Sequence, residues 1–482
     1  MLRHASQYMI ASVIAAAFGF LGAATFTRLL APGDYGVYVV GVGISGYISS
    51  ILFTWVRFSV MRLQSEGVQR DLRLTALAGY GISVATIPLV FLVITRVSQR
   101  DWLEIAGAIV LALGLGLFEM GQEIMRARFQ VREFVIGAAL RAVMSFVFCI
   151  IAIELGMGGL GLLAGAALAY FVSAAISARS VWGGPRARVD LGELALFFRL
   201  GFVFTLTAFI YAFQGSLDRL FLAWHSSEVY SGLYGASADL TRQIIQIPAG
   251  SIAAAAFPIA VSSLVQSGAA KAREQLARFG EVLLAVSVPS AIGLALTVPY
   301  LASFILGPAF REAAASIVPI LAIAWLFQCT TQFYVHVSFH LAKRPEWSLL
   351  QGLTGVAVNI ALIWPLTDRW GMPGTALSFL ISEACGIVVG VALTRFSHPM
   401  PNLLGPLARI LLACGVMAGV VLALERLLPV PGALAFGVLA ASGMLVYALA
   451  AIALNICEAR TMLHTVAVRL FSAPRENIGP SL

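Results

Sequence analysis

The feature that most constrains this chain is a succession of apolar windows, each about as long as a bilayer crossing and parted from the next by a short polar break. They fall near 8–29, 35–56, 74–95, 102–122, 134–154, 159–178, 196–224, 229–265, 279–306, 314–341, 346–366, 372–394, 403–424 and 432–456. A crossing needs roughly 20 apolar residues to span about 30 Å of hydrocarbon. The fourteen windows therefore predict an all-α polytopic membrane protein with about fourteen transmembrane helices. Composition agrees, with 60% hydrophobic and 11% charged residues against about 25% charged in a soluble domain. A transmembrane β-barrel would alternate apolar and polar residues along short segments, and these windows do not alternate.

The basic residues set an orientation. With the N terminus in the cytoplasm, twenty-one Lys and Arg residues fall in cytoplasmic segments and six on the opposite side, the asymmetry of the positive-inside rule. Both termini and the loops 62–73, 179–193, 266–278 and 395–402 are then cytoplasmic. The net charge of +8 is spread over many short loops, so it is topological and does not mark a nucleic-acid surface, which would gather its cations on one stripe. The first window exceeds twenty residues and runs directly into a second span, which reads as a retained helix, not a cleaved leader. Cys149, Cys329, Cys385, Cys414 and Cys457 lie within or at the ends of spans without CxxC spacing; they predict neither disulfides nor a metal site.

Three markers recur in order. Gly36-Val37-Tyr38 corresponds to Gly232-Leu233-Tyr234, each preceded by an Arg-Leu pair and an acid (Arg28-Leu29 and Asp34; Arg219-Leu220 and Glu228). "RARFQVREF" at 126–134 corresponds to "HLAKRPEW" at 340–347, and "GMGG" at 156–159 to "GMPG" at 371–374. Their offsets of 196, 213 and 215 residues map the first six helices onto the next six. Six is even, so both sets enter from the same side as parallel repeats, a plan used by transporters whose substrate site lies between rocking halves. The expected units are a lobe at 1–190, a second lobe at 191–400, and two additional helices with a cytoplasmic tail at 401–482. Duplication for packing alone is the plainer alternative.

The stretches "FTRLLAPGDYGVYVV" and "SLDRLFLAWHSSEVYSGLYGASADLTRQIIQIPAG" resemble the polysaccharide transporter family. These are lipid-linked oligosaccharide flippases, within a superfamily that also holds multidrug extruders and peptidoglycan lipid II flippases. The resemblance covers essentially the whole chain. It implies a bacterial inner-membrane flippase for an undecaprenyl-diphosphate-linked oligosaccharide, such as an O-antigen or exopolysaccharide repeat unit, working by alternating access. It also implies membrane lipid, a polysaccharide polymerase and chain-length machinery as partners, no nucleic acid, and no cofactor beyond Na+ or H+ coupling. Each Arg-to-Tyr stretch reads as an extracytoplasmic hairpin, its glycine permitting close approach and its Tyr at interface depth.

Charged groups within spans are costly and normally face protein or water. A diphosphate sugar calls for guanidinium groups on phosphate and amides or aromatics on sugar. Arg28, Arg219, Arg242, Gln246 and Asn359 are the expected substrate-binding residues, with Tyr211, Gln214 and Gln243 of the right chemical type. Asp218, Asp239 and Glu383 are the expected ion-coupling or structural acids. Asp239 and Arg242, three apart, can pair on one helix face, and Pro248 removes a backbone donor and bends that helix. Each has a plainer reading: Arg28 snorkels, Asp239 and Arg242 clamp helices, and Arg57 sets topology. Glu119 and Glu123 lie near Arg126 in a cytoplasmic-end network. His336 and His340, one turn apart without an accompanying acid, read as interfacial residues.

Two other functions fit parts of the sequence. A cation-coupled drug exporter shares the expected fold but would favour acids and aromatics in its cavity. A membrane polymerase, ligase or glycosyltransferase would need a sizeable extracytoplasmic segment carrying catalytic groups, and the connections here are short. No GxxxxGK[ST] occurs, so ATP hydrolysis by a P-loop is excluded.

Overall fold

The computed structural model describes residues 2–65, 71–98, 100–183, 188–342, 344, 346–398, 400–428 and 430–460. Arg70, Arg186, Lys343, Arg469 and Arg475, which contribute to the charge asymmetry, lie outside them. Among the described residues the chain is helical with no strand. In order the helices are α1 (Leu2–Leu29), α2 (Pro32–Leu52), α3 (Thr54–Ser65), α4 (Arg73–Ala85), α5 (Ile87–Ser98), α6 (Trp102–Ala127), α7 (Val131–Glu154) and α8 (Gly158–Trp182). They continue as α9 (Leu191–His225), α10 (Glu228–Ile305), α11 (Pro308–Thr330), α12 (His336–Leu341), α13 (Glu346–Trp370), α14 (Met372–Thr394), α15 (Leu404–Glu425) and α16 (Ala433–Ala453).

Each apolar window carries helix. Eleven helices among the described residues are long and apolar enough to cross a membrane, and twelve if the bent pair Leu191–Phe202 and Phe204–His225 is one span. The first window holds the shorter apolar helix Val13–Leu29. The eighth forms the first part of α10, several of whose side chains after residue 254 are not described. The break within α10 falls at Gly268, with φ of +83°, while the backbone dihedrals stay helical through Pro248. A positive φ suits glycine, which has no Cβ to clash. Helices α4 and α5 divide the third window at Thr86, and α3 carries the second past its apolar end to Ser65.

One large core joins the two sequence halves. It runs from Phe26, Val39 and Leu162 through Leu240 and Leu294 to Trp325 and Phe379. A smaller cluster of Val56, Val60, Met120, Ile124 and Phe197 ties α3 and α6 to the start of α9. Helices α15 and α16 pack on the second part of α10 through Val288, Ile410 and Cys414, and through Tyr300, Met417 and Leu439.

The recurring glycines meet each other. A Cβ on Gly36 would lie 2.0 Å from the Glu228 carbonyl oxygen, and one on Gly232 would lie 2.1 Å from that of Pro32. The contact is reciprocal: each glycine, four residues into its helix, receives the carbonyl of the other helix's first residue. Hydrogen at both positions lets α2 and α10 touch backbone to backbone. The same end is tied by the Gly307 amide donating to Thr27 Oγ1 at 3.0 Å and by the edge-to-face Tyr35–Phe310 pair at 5.6 Å. Toward the other end the Ser59 hydroxyl donates to the Phe197 carbonyl at 2.8 Å, and Phe58 stacks on Phe204 at 4.5 Å.

Candidate functional site

The polar interior is assembled on α9. Gln214, Asp218 and Arg219 follow one another at helical spacing and are all buried. A buried charge or amide is tolerated only when hydrogen-bonded, and each finds a partner on a different helix.

Arg219 places its fork on Asp239 of α10, with Nη2 3.0 Å from Oδ1 and Nη1 3.4 Å from Oδ2. Arg242, on the same helix as Asp239, stands 3.7 Å away. The expected Asp239–Arg242 pair is therefore secondary: Asp239 belongs first to Arg219, whose two-pronged geometry is the stronger one. The consequence is an inversion of roles. Arg219, 9% exposed and doubly bonded, is the neutralised guanidinium, whereas Arg242, 48% exposed, keeps donors free to face a ligand.

Asp218 points the other way. Its Oδ2 accepts from the Tyr234 hydroxyl at 2.6 Å and its Oδ1 from the Asn359 amide at 2.9 Å. Ser378 in turn donates to the Asn359 side-chain and backbone oxygens. Tyr234 is 2% exposed, so the tyrosine expected at interface depth turns inward and its hydroxyl donates to a buried carboxylate. One turn along α9, Gln214 donates to Glu383 of α14, and Gln328 of α11 reaches the same Oε1 at 3.3 Å. Glu383 is 1% exposed and its described partners are amides alone.

A third group surrounds a change of helical pitch. Helix α11 gives way to a π-helical turn, Thr331–Val335, before α12, a device that often re-aims side chains at functional positions. His336 follows directly, 5% exposed. Its Nε2 lies 3.1 Å from Gln351 Oε1 and its Nδ1 3.4 Å from the Tyr211 hydroxyl. The interfacial placement expected for His336 is thus also corrected. Gln246 of α10 donates to Gln332 in the π turn at 3.2 Å.

Arg28 is not part of this assembly. It is exposed and donates to the Phe304 carbonyl, one of the last of α10, where a cation complements the helix dipole. Near the cytoplasmic end expected from the charges, Arg126 pairs with Glu123 at 3.1 Å and Arg57 with Glu119. Arg141 lies over the Tyr170 ring at 5.4 Å. Of the expected substrate and coupling residues, the structure brings Arg219, Arg242 and Asp239 into one cluster, Asp218 and Asn359 into a second, Glu383 into a third and Gln246 beside the π turn. Sequence reading missed Gln328, Gln332, Gln351 and Ser378. Gln328, Gln332, His336 and His340 recur every four residues, a polar stripe that one helix face can present.

An apolar cavity of about 400 Å³ lies apart from these polar groups, bounded by α10, α15 and α16, with Ile244, Pro289, Met417 and Tyr447 in its walls. Ile244 stands two residues from Arg242 and from Gln246, so it faces away from both on the helix. No cluster of His, Cys, Asp and Glu able to hold a metal ion occurs among the described residues.

Comparison with known proteins follows this geometry. The sequence model of a family described as polysaccharide biosynthesis protein matches residues 25–315. No curated protein matches the chain by sequence. By structure it is similar to the lipid II flippase MurJ in an inward closed conformation, with a TM-score of 0.76, 15% identity, and coverage of 94% of this chain and 99% of that one. It is similar to an inward-facing multidrug resistance MATE family transporter of the MOP superfamily, at TM-score 0.64 and 14% identity over 80% and 94% of the two chains. A MOP superfamily transporter from Pyrococcus furiosus matches at TM-score 0.59 and 15% identity over 82% and 94%. The fold is thus one that serves both a lipid flippase and drug transporters.

Proposed function

The chain belongs to the polysaccharide biosynthesis protein family and has the fold of the MOP superfamily, and from that premise we propose that it is a flippase for a polyprenyl-diphosphate-linked oligosaccharide. The substrate in this reading is an undecaprenyl-linked O-antigen or exopolysaccharide unit, moved across the bacterial inner membrane and passed to a polymerase and chain-length machinery. Residues 1–190 and 191–400 act as the two lobes of an alternating-access cycle, 401–482 supplies two further helices, and both termini are cytoplasmic. No catalytic step is assigned to the chain.

The observation that carries the reading is the placement of Arg242. It is a half-exposed guanidinium, held by a carboxylate that is already satisfied by Arg219, with Gln246 one turn further along the same helix face. Cation and amide on one face suit a molecule that carries diphosphate and sugar. Asp218 with Tyr234 and Asn359, and Glu383 with Gln214 and Gln328, are the groups we assign to Na+ or H+ coupling. The same buried acids favour the second reading, a cation-coupled drug exporter.

Reconstituted vesicles separate the two. Flipping of a fluorescent lipid-linked oligosaccharide should fall at least about tenfold in Arg242→Ala and substantially in Arg242→Lys, because an ammonium lacks the planar fork, with melting temperature unchanged. Normal flipping in both variants sinks the diphosphate site. Absent flipping by the unaltered chain together with uptake of cationic dyes assigns the exporter.

A further inference from the structure

A second apolar hollow lies away from the polar site. It lies between α2, α5, α6 and α9, with a volume of about 920 Å³, toward the upper end of the roughly 300–1,000 Å³ typical of ligand pockets. Its walls are apolar, formed by Ile48, Val90, Ile94, Phe209 and Trp224 among others. It faces outward from the bundle. Helix α5, which forms one wall, buries none of its residues, and Leu89 and Val97 are 66% and 78% exposed.

One end of the groove is charged. Arg100 donates to Glu104 and to Glu228, both at 2.9 Å, and Asp101 lines the same end. Three carboxylates against one guanidinium leave the rim with a formal charge of −2. From Leu89 to Val97 the α5 wall rises about 12 Å at 1.5 Å per residue, close to one leaflet of a hydrocarbon core about 30 Å thick. The groove therefore matches a lipid seated in a single leaflet, with its headgroup at the charged end.

We propose that this groove binds a zwitterionic aminophospholipid. Its chains lie on the apolar wall, its ammonium donates to Glu104, Glu228 and Asp101, and its phosphate takes the donors that remain on the Arg100 fork. A primary ammonium supplies three N–H donors to a rim rich in acceptors. A trimethylated amine carries the same charge without those donors, and a purely anionic headgroup meets net negative charge. Glu228 opens α10 while Arg100 and Glu104 flank the start of α6, so the rim is complete only while these stretches are together. Lipid binding thereby favours the conformation described here.

The test uses the purified full chain in phosphatidylcholine nanodiscs, titrated with lipids brominated on the acyl chain and bearing ethanolamine, choline or glycerol headgroups. The readout is the tryptophan quenching that disappears in Trp224→Phe. The ethanolamine lipid should quench at about fivefold lower mole fraction than the other two, a preference on the scale of a partly exposed ion pair. Glu228→Gln, which retains the Arg100–Glu104 pair, should weaken the preference, and Glu104→Gln with Glu228→Gln should abolish it. Equal quenching by all three lipids would identify ordinary annular lipid and overturn the proposal. So would a preference for glycerol, or a preference that survives in both variants.

Discussion

Among the described residues between 1 and 190 the buried polar side chains are hydroxyls apart from Arg73 and Gln122; Thr27 bonds back to the Ala23 carbonyl of its own helix at 2.6 Å and Ser45 to that of Val42 at 2.7 Å, while Ser59 and Ser83 donate to single backbone carbonyls of a neighbouring helix. Between 191 and 400 the buried hydroxyls are joined by carboxylates, amides, a guanidinium and an imidazole, which pair in separate clusters across α9, α10, α11, α12, α13 and α14. Hydroxyls satisfied within their own helix ask nothing of its neighbours, so a helix bearing them can move as a unit without stranding a polar group. Clusters spread over several helices are different, because each bond holds only at one relative placement, and within a cluster a change of charge at one member is felt at the others. The chemistry that could couple an ion to movement is thus concentrated in one half of a chain whose halves echo each other in sequence.

The sharpest way to break this contrast is to unpair its central charges. Arg219→Ala strands Asp239 with Arg242 alone, and Asp239→Ala strands a guanidinium that is 9% exposed. Each single change should lower stability by about 3–5 kcal/mol, with much of the loss recovered in the double alanine. Melting of the detergent-purified variants reads this directly. Additive losses, or singles no worse than Arg242→Ala, would show that the pair is not the keystone of the network.

What the sequence exposed and what it concealed follow the same division. The apolar windows and the Gly-Val-Tyr and Gly-Leu-Tyr markers are legible because they depend on composition and local spacing, and the fold carries helix through every window. Partners across helices leave no such trace. Asp239 offers Arg242 at three residues' spacing, but its nearer partner is Arg219, twenty residues away on the preceding helix. Tyr234 looks like an interfacial tyrosine until Asp218 claims its hydroxyl. Glu383 looks alone until α9 and α11 each bring a glutamine to it. The reciprocal glycine contact accounts for why the first marker recurs at all: both copies must admit a carbonyl where a Cβ would sit.

That contact is a place where the halves are alike, and it can be tested as such. Gly36→Ala and Gly232→Ala should each cost about 1–3 kcal/mol or more, since the intruding methyl meets backbone that no side-chain rotation can relieve. Gly46→Ala, with nothing within 4 Å of its Cβ position, should be nearly neutral. Comparable melting temperatures for all three would mean that α2 and α10 do not approach as described.

A smaller effect concerns a buried amide in the first half. Gln122 is 6% exposed, and neither its side-chain oxygen nor its nitrogen has a partner among the described residues. If no polar network is needed in that half, Gln122→Met should be neutral or stabilising by up to about 1 kcal/mol, because it removes an unsatisfied amide while keeping the volume. A loss of 2 kcal/mol or more, in contrast, would reveal a hydrogen-bonded role for the amide and weaken the comparison.

The smallest effect lies outside the spans. Asp71 accepts two hydrogen bonds from Arg73 Nε, at 2.7 and 2.9 Å, and Arg128 stands 3.7 Å away. The hydrogen bonds from Arg73 hold the Asp71 carboxyl below its ordinary value, against the opposing effect of burial. A depressed carboxylate value means that the unfolded chain binds the proton more readily than the folded one. The pair's contribution is therefore fully present above the ordinary Asp value near ~3.9 and is lost as pH falls through the lower folded value. Because Asp71 is 24% exposed, that contribution is that of a screened surface pair, about 1 kcal/mol or less. Asp71→Asn should lower the melting temperature slightly at pH 7, and the difference should shrink as pH falls below the ordinary Asp value near ~3.9. Arg73 would remain anchored on the Val181 and Gly183 carbonyls in either case. A difference that persists at low pH would show that Asp71 acts through hydrogen bonding independent of its charge, and would align this loop with the networked half instead of the apolar one.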